Sequence, residues 1–180
     1  MRSLKSLALI FLIHAVFATI FIQKTECRIA LPNKANLIDQ TCKKTPNYAL
    51  YVSSLQSDPR SKGADVRGLA RIMVDVMNSK ATQTLNHINK LLQRSLGHKV
   101  KVALSDCARK YIAILKADVP EAAEGLDKGD FKFAEDGAND AAIEANSCER
   151  GFSGKSILTQ MNIQVHDVAE VLAAIVRLLL

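Results

Sequence analysis

The chain has 180 residues, 48% of them hydrophobic, no tryptophan, and a net charge of +6 from 24 basic and 18 acidic side chains. This length suits one domain with a sizeable core, and scattered bases without a Trp to stack on exclude a nucleic-acid groove. The four cysteines, Cys27, Cys42, Cys107 and Cys148, form no C-x-x-C pair and lie far in sequence from His87, His98 and His166, so no metal and no cofactor is expected.

Arg2 and Lys5 precede an apolar run of 16 residues, Leu7 to Ile22, which turns polar at Gln23. The run is shorter than the roughly 20 apolar residues of a spanning helix, and it reads as a secretory signal peptide over residues 1–27. Cleavage after Cys27, with Thr25 at −3, removes Arg2, Lys5, Lys24 and Glu26 and leaves 153 residues at net charge +4. An earlier small-residue site follows Ala18, and the choice decides whether Cys27 survives. Export into an oxidising compartment makes disulfides the default use of the cysteines, and no membrane contact is expected once the signal is gone.

Residues 33–60 read as a small helical hairpin. One short helical stretch covers Leu37 to Cys42, and another has Thr45 as N-cap and Pro46 at its first position. Asp58-Pro59-Arg60-Ser61 then breaks the chain. Residues 61–180 carry four amphipathic stripes. The first is Ala70, Met73, Met77, Ala81, Leu85, Ile88 and Leu92, behind the N-cap candidate Asp65 and ending near Gly97. The second is Leu104, Ala108, Tyr111, Leu115, Val119, Ala122 and Leu126, with a kink expected at Pro120. The third, Asp130 to about Cys148, is Ala-rich, with Phe133, Gly137, Ala141 and Ala145 on its apolar side. The fourth, Leu158, Met161, Val165, Val168, Leu172, Ile175 and Leu179, keeps an unbroken 3-4 spacing. Strand patterns are nearly absent. The expected fold is therefore all-α: an antiparallel up-and-down four-helix bundle with an N-terminal helical hairpin. Neighbouring antiparallel helices bring Cys107 and Cys148 to one end of the bundle, where a disulfide is geometrically plausible.

Between the second and third stripes, Gly129-Asp130-Phe131-Lys132-Phe133-Ala134-Glu135-Asp136-Gly137 forms a tight helix-to-helix corner. Gly129 suits the left-handed C′ position and Asp130 the N-cap of the next helix. Phe131 and Phe133 stand about 200° apart around a helix, so one aromatic ring is left pointing away from the core. Lys132 opposes the dipole at a helix N-terminus. Local stability explains neither choice, which marks the corner as a contact surface.

At Thr41-Cys42-Lys43-Lys44-Thr45-Pro46-Asn47-Tyr48, Ser57-Asp58-Pro59-Arg60-Ser61, Leu69-Ala70, Lys132-Phe133-Ala134-Glu135-Asp136-Gly137 and Ala174-Ile175-Val176-Arg177, the sequence resembles the plant invertase and pectin methylesterase inhibitor family. The similarity spans Asn33 to Leu180 and points to the branch directed at acid invertase (β-fructosidase) in cell wall or vacuole. The resemblance implies an inhibitor rather than an enzyme, with acid invertase as partner and pectin methylesterase as the alternative. It also implies a site: a Pro-Lys-Phe motif at the start of the third bundle helix enters the invertase cleft in that branch. Lys132 and Phe133 match it, and Phe131 stands in place of the proline. The family pairs the cysteine matching Cys42 with one nine residues later, where this chain has Tyr51. Cys42 is then free, paired to Cys27 under the earlier cleavage, or engaged with another chain.

Chemistry supports the same site. A glycoside hydrolase works with paired carboxylates, and a lysine at the mouth of such a cleft gains charge-assisted hydrogen bonds. Lys132 is the expected substrate-mimicking cation, Phe133 or Phe131 the aromatic anchor, and Asp130 the residue that fixes the turn. Against an enzyme, no nucleophile elbow or paired His/Cys is visible, and adjacent His166 and Asp167 should point apart on their helix. A bundle storing an apolar ligand would need an internal cavity above about 300 Å³. The tail Val176-Arg177-Leu178-Leu179-Leu180 could finish the last helix or serve as a vacuolar sorting peptide.

Overall fold

The computed structural model describes residues 47–152 and 156–180. The signal segment, Cys27, Cys42 and the expected Thr45-Pro46 helix start lie outside the described residues. Within them the elements are α1 (Tyr48–Gln56), α2 (Val66–Leu92), α3 (His98–Ala113), α4 (Val119–Lys128), α5 (Phe131–Arg150) and α6 (Thr159–Val176). Short 3-10 turns cover Pro59–Gly63 and Arg177–Leu179, and a π-helical turn, Ile114–Asp118, joins α3 to α4. No strand occurs among the described residues.

Four long rods make the bundle: α2, the continuous α3–α4, α5 and α6. Each packs on the next in sequence, and α2 also packs on α6, which closes the ring. This is the up-and-down arrangement expected from periodicity and short connections. Asp65 caps α2 by accepting the Gly68 N–H at 2.8 Å. Asp58 caps the preceding 3-10 turn, and the Arg60 guanidinium bridges Asp58 and Asp75 on α2, at 2.6 and 2.7 Å. The break at Asp58-Pro59-Arg60-Ser61 is thus a pinned turn.

The buried faces follow the expected stripes, with shifts that tertiary packing explains. On α2, Thr84 and Leu91 are buried while Leu85 and Leu92 sit half-buried, and the helix stops at Leu92 so that Gly97 caps α3 instead of ending α2. On the second rod, Ile114 and Asp118 take the buried positions expected of Leu115 and Val119. A π turn covers both positions. Pro120 has no N–H, and in an α-helix its ring would clash with the carbonyl of Lys116. At the expected kink the helix takes one over-wide turn, beyond which Ala122 and Leu126 hold the buried positions expected of them. Gly137 of α5 packs against that turn: a Cβ there would lie 2.7 Å from the Asp118 carbonyl oxygen and 2.8 Å from the Ala122 nitrogen.

Within this turn Asp118 faces inward, 6% exposed, and its Oδ2 has no hydrogen-bond partner. Burial, with added repulsion from Asp140, Glu144 and Glu121, pushes its carboxyl up to about 6.

At the other end of the bundle, Tyr111 donates to Asn162 Oδ1 at 2.8 Å, and Asn162 Nδ2 and Thr159 Oγ1 each donate to Glu149 at 2.6 Å. The disulfide Cys107–Cys148 lies beside this network, with its Cα atoms 4.8 Å apart. It ties α3 to α5 as geometry suggested.

α1 packs on α2 and α6, with Tyr51 and Leu55 fully buried. Tyr51 thereby supplies core volume at the position where the resemblance implies a second hairpin cysteine. Among the described residues this helix starts at Tyr48, behind Asn47 in the left-handed conformation at φ 56°. Asn47 Nδ2 donates to Asp167 Oδ2 at 2.8 Å. His166 and Asp167 do not point apart: His166 Nδ1 lies 3.2 Å from Asp167 Oδ1.

Candidate functional site

The corner between α4 and α5 consists of Gly129 and Asp130 alone. Gly129 takes φ 76°, the left-handed conformation that a side chain would disfavour, and its N–H bonds back to the Leu126 carbonyl. Asp130 Oδ1 accepts the Phe133 N–H at 3.1 Å, and its carbonyl accepts the Ala134 N–H at 3.1 Å. Both local expectations, C-cap glycine and N-cap aspartate, therefore describe the turn.

Three contacts that local rules do not reveal hold this turn. Gly125 lets α4 lie directly on the first turn of α5, since a Cβ there would sit 2.7 Å from the Asp130 carbonyl oxygen and 2.8 Å from Ala134 Cα. From α2, Arg67 donates to the Asp127 carbonyl at 2.7 Å, while Arg71 reaches the Ala123 carbonyl and the Asp127 carboxylate at 3.3 and 3.2 Å. The Arg67 guanidinium thereby satisfies the Asp127 carbonyl, one that the end of α4 would leave open. From the far end of the chain, Arg177 Nε donates to Glu135 Oε1 at 2.6 Å. Arg67, Arg71, Gly125, Glu135 and Arg177 are scattered along the sequence, and only the ring closure of the bundle brings them to one place.

Of the two rings, Phe133 is the outward one, 40% exposed, and Phe131 is half-buried. The expected placement of Phe133 on the apolar side of the third helix is thus corrected. Ala134 takes the inward position because the close approach at Gly125 leaves no room for a ring there. The Lys132 side chain is 63% exposed. It is not a solitary cation: Nζ lies 2.8 Å from Asp136 Oδ1 and 3.0 Å from Glu135 Oε2. Those hydrogen bonds, Asp136 first, raise its pKa above the ordinary lysine value. Glu135 is only 8% exposed; burial works against its charge, but hydrogen bonds from Arg177 and Lys132 outweigh it and lower its pKa.

An exposed aromatic and an exposed cation thus project from the first turn of α5, behind a two-residue turn braced by three other segments. Such a surface offers a preorganised anchor to a cleft. It offers no nucleophile–base pair, and among the described residues no His, Cys, Asp and Glu group is arranged to hold a metal ion. The hollow of about 430 Å³ beside His98, Lys99, Val102, Asp106 and Gly151 lies on the surface and is partly polar, unlike the closed apolar chamber a ligand store requires.

The profile of the family described as "Plant invertase/pectin methylesterase inhibitor" matches residues 36–175. The chain belongs to this family. It is 46% identical over 143 residues to "Cell wall / vacuolar inhibitor of fructosidase 1" of Arabidopsis thaliana, covering 79% of this chain and 69% of that one. It is 27% identical over 171 residues to "Pectinesterase inhibitor" of Actinidia deliciosa, covering 93% and 92%. "Cell wall / vacuolar inhibitor of fructosidase 2" of Arabidopsis thaliana is 41% identical over 101 residues, 56% of each chain. In three dimensions the chain resembles a crystal structure of a mutant form of a pectin methylesterase inhibitor from Arabidopsis at TM-score 0.69 and 20% identity, over 78% of this chain and 95% of that one. That likeness concerns the helical-bundle fold. Members of the family are enzyme inhibitors, and the relatives named for fructosidase are also named for the cell wall and vacuole.

Proposed function

We propose that this chain is a proteinaceous inhibitor of acid invertase (β-fructosidase) and not itself an enzyme, and that it acts by seating the Phe131-Lys132-Phe133 corner in the enzyme's cleft. The observation that carries the reading is the outward Phe133 beside an exposed Lys132 on a braced, two-residue turn. A glycosidase cleft is lined by carboxylates, which favour a cation at the mouth, and an aromatic that loses its remaining exposed surface there serves as anchor. Asp130 holds the turn, so little ordering entropy is lost on docking. The relatives named as inhibitors of fructosidase support the same target.

In this reading residues 1–27 direct export, the mature domain is 28–180, and the protein acts in the apoplast or vacuole. Asp118, whose carboxyl titrates near 6, makes the fold more stable on the acid side, which suits an acidic compartment. The test is sucrose hydrolysis by cell-wall and vacuolar acid invertase with the purified mature protein. Wild type should inhibit at or below micromolar concentration, and Lys132→Ala should weaken inhibition at least tenfold, on the order expected when a charged group loses its partner in a closed interface. Absence of inhibition of both enzymes at micromolar protein refutes the proposal.

Pectin methylesterase is the second reading, favoured by the pectinesterase inhibitor of Actinidia deliciosa, which aligns with 93% of this chain. A demethylation assay on pectin run beside the sucrose assay separates the two targets.

A further inference from the structure

Lys132 reaches the partner only if its ammonium leaves the carboxylates it already holds. Glu135 and Asp136 lie three and four residues further along α5, so pairing with them draws Nζ back along the helix and away from the turn. The same Glu135 carboxylate is claimed on its other oxygen by Arg177, at 2.6 Å against 3.0 Å for Lys132. Arg177 is itself held in place, since its Nη2 donates to Asn139 Oδ1 at 3.2 Å and it opens the 3-10 turn that follows α6. Two cations 45 positions apart in the sequence therefore share one nearly buried carboxylate.

We propose that Arg177 is a positioning residue for the inhibitory corner: by occupying Glu135 it weakens that carboxylate's hold on Lys132 and keeps the lysine available to a carboxylate-lined cleft. This rests on the reading of the corner as the inhibitory contact. Removing the guanidinium leaves the full Glu135 charge to Lys132, which then lies flat along α5. Neutralising Glu135 or Asp136 does the opposite and releases the lysine. The two kinds of substitution shift affinity in opposite directions, although each removes one half of an ion pair. A purely structural ion pair would not behave in this way, because losing either half of it loosens the same contact.

The test measures inhibition constants toward cell-wall acid invertase at fixed ionic strength for wild type, Arg177→Met, Glu135→Gln and Asp136→Asn, each also in a Lys132→Met background, with thermal melts alongside. Arg177→Met should weaken inhibition about fivefold and the two neutralised carboxylates should tighten it two- to fivefold, the range of about one exposed ion pair. All three shifts should vanish in the Lys132→Met background. If the carboxylate variants weaken inhibition as Arg177→Met does, or if the shifts persist without Lys132, the positioning role is overturned while the inhibitory reading stands. Asp136→Asn keeps the test decisive even where a change at Glu135 or Arg177 lowers the melting temperature, because the Asp136 side chain is 47% exposed. A wild-type protein that fails to inhibit overturns the corner reading, and this inference with it.

Discussion

Asp118 shows how a single residue can escape sequence reading. The apolar stripe assigns the buried position to Val119 because it is apolar, although at 3.6 residues per turn Asp118, seven residues after the buried Tyr111, lies nearer the same face. The carboxyl lies inside, on the face shared by Tyr111, Ile114 and Ala122, within the π turn that ends just before Pro120. Its pKa, raised from 3.8 to about 6, has a definite sign. The folded chain binds this proton more readily than the unfolded chain, so the benefit is complete below about pH 4 and is lost as pH rises through 6. Asp118→Asn should therefore raise the melting temperature at pH 7.5, by an amount equivalent to roughly 2–3 kcal/mol, and change little at pH 4. Calorimetry at the two pH values checks this. Lys132 was legible as an unusual residue because it opposes the helix dipole. Its partners Glu135 and Asp136 follow from i,i+3 and i,i+4 spacing, whereas Arg177, which competes for Glu135, does not.

Among the elements, α5 combines small apolar contacts with an aromatic it cannot bury. Ala134, Gly137, Ala138, Ala141, Ala142 and Ala145 form its inner face, which lets neighbouring helices approach closely but buries little area per residue. Close approach is what aims the corner. Gly125 accepts the first turn of α5 against α4, and that contact assigns Phe133 to solvent. The sequence showed that one of two rings had to point outward, since they are two residues apart on a helix; it did not show which. Gly125→Ala should force α4 and α5 apart, cost about 1–3 kcal/mol despite alanine's better helix propensity, and weaken inhibition of invertase. Urea denaturation paired with the sucrose assay checks both effects. An unchanged inhibition constant would show that the corner tolerates a shift of its helix.

For the molecule as a whole, the closed ring of four rods is fastened at opposite ends by different means. The disulfide lies about 26 Å along α5 from the corner, so it secures the far end of that helix, while Arg67, Arg71 and Arg177 secure the near one. In the chain-entropy account, closing a loop across a separation of 41 residues contributes about 4 kcal/mol. Cys107→Ser with Cys148→Ser should lower unfolding free energy by about that amount in guanidinium titrations. Residual inhibition should survive at low temperature, where the bundle remains folded.

The sequence by itself determined the helical class, the four rods, their order and the two-residue turn, because each depends on neighbours three or four residues apart or on one glycine and one aspartate. It also carried the family resemblance and the pairing of Cys107 with Cys148. Tertiary structure alone decided which phenylalanine faces out, that Asp118 is buried, and that Arg177 shares Glu135 with Lys132 across 42 positions. These depend on how closely two backbones approach and on where the ring of helices closes. Neither quantity is encoded in a window as short as a helical turn.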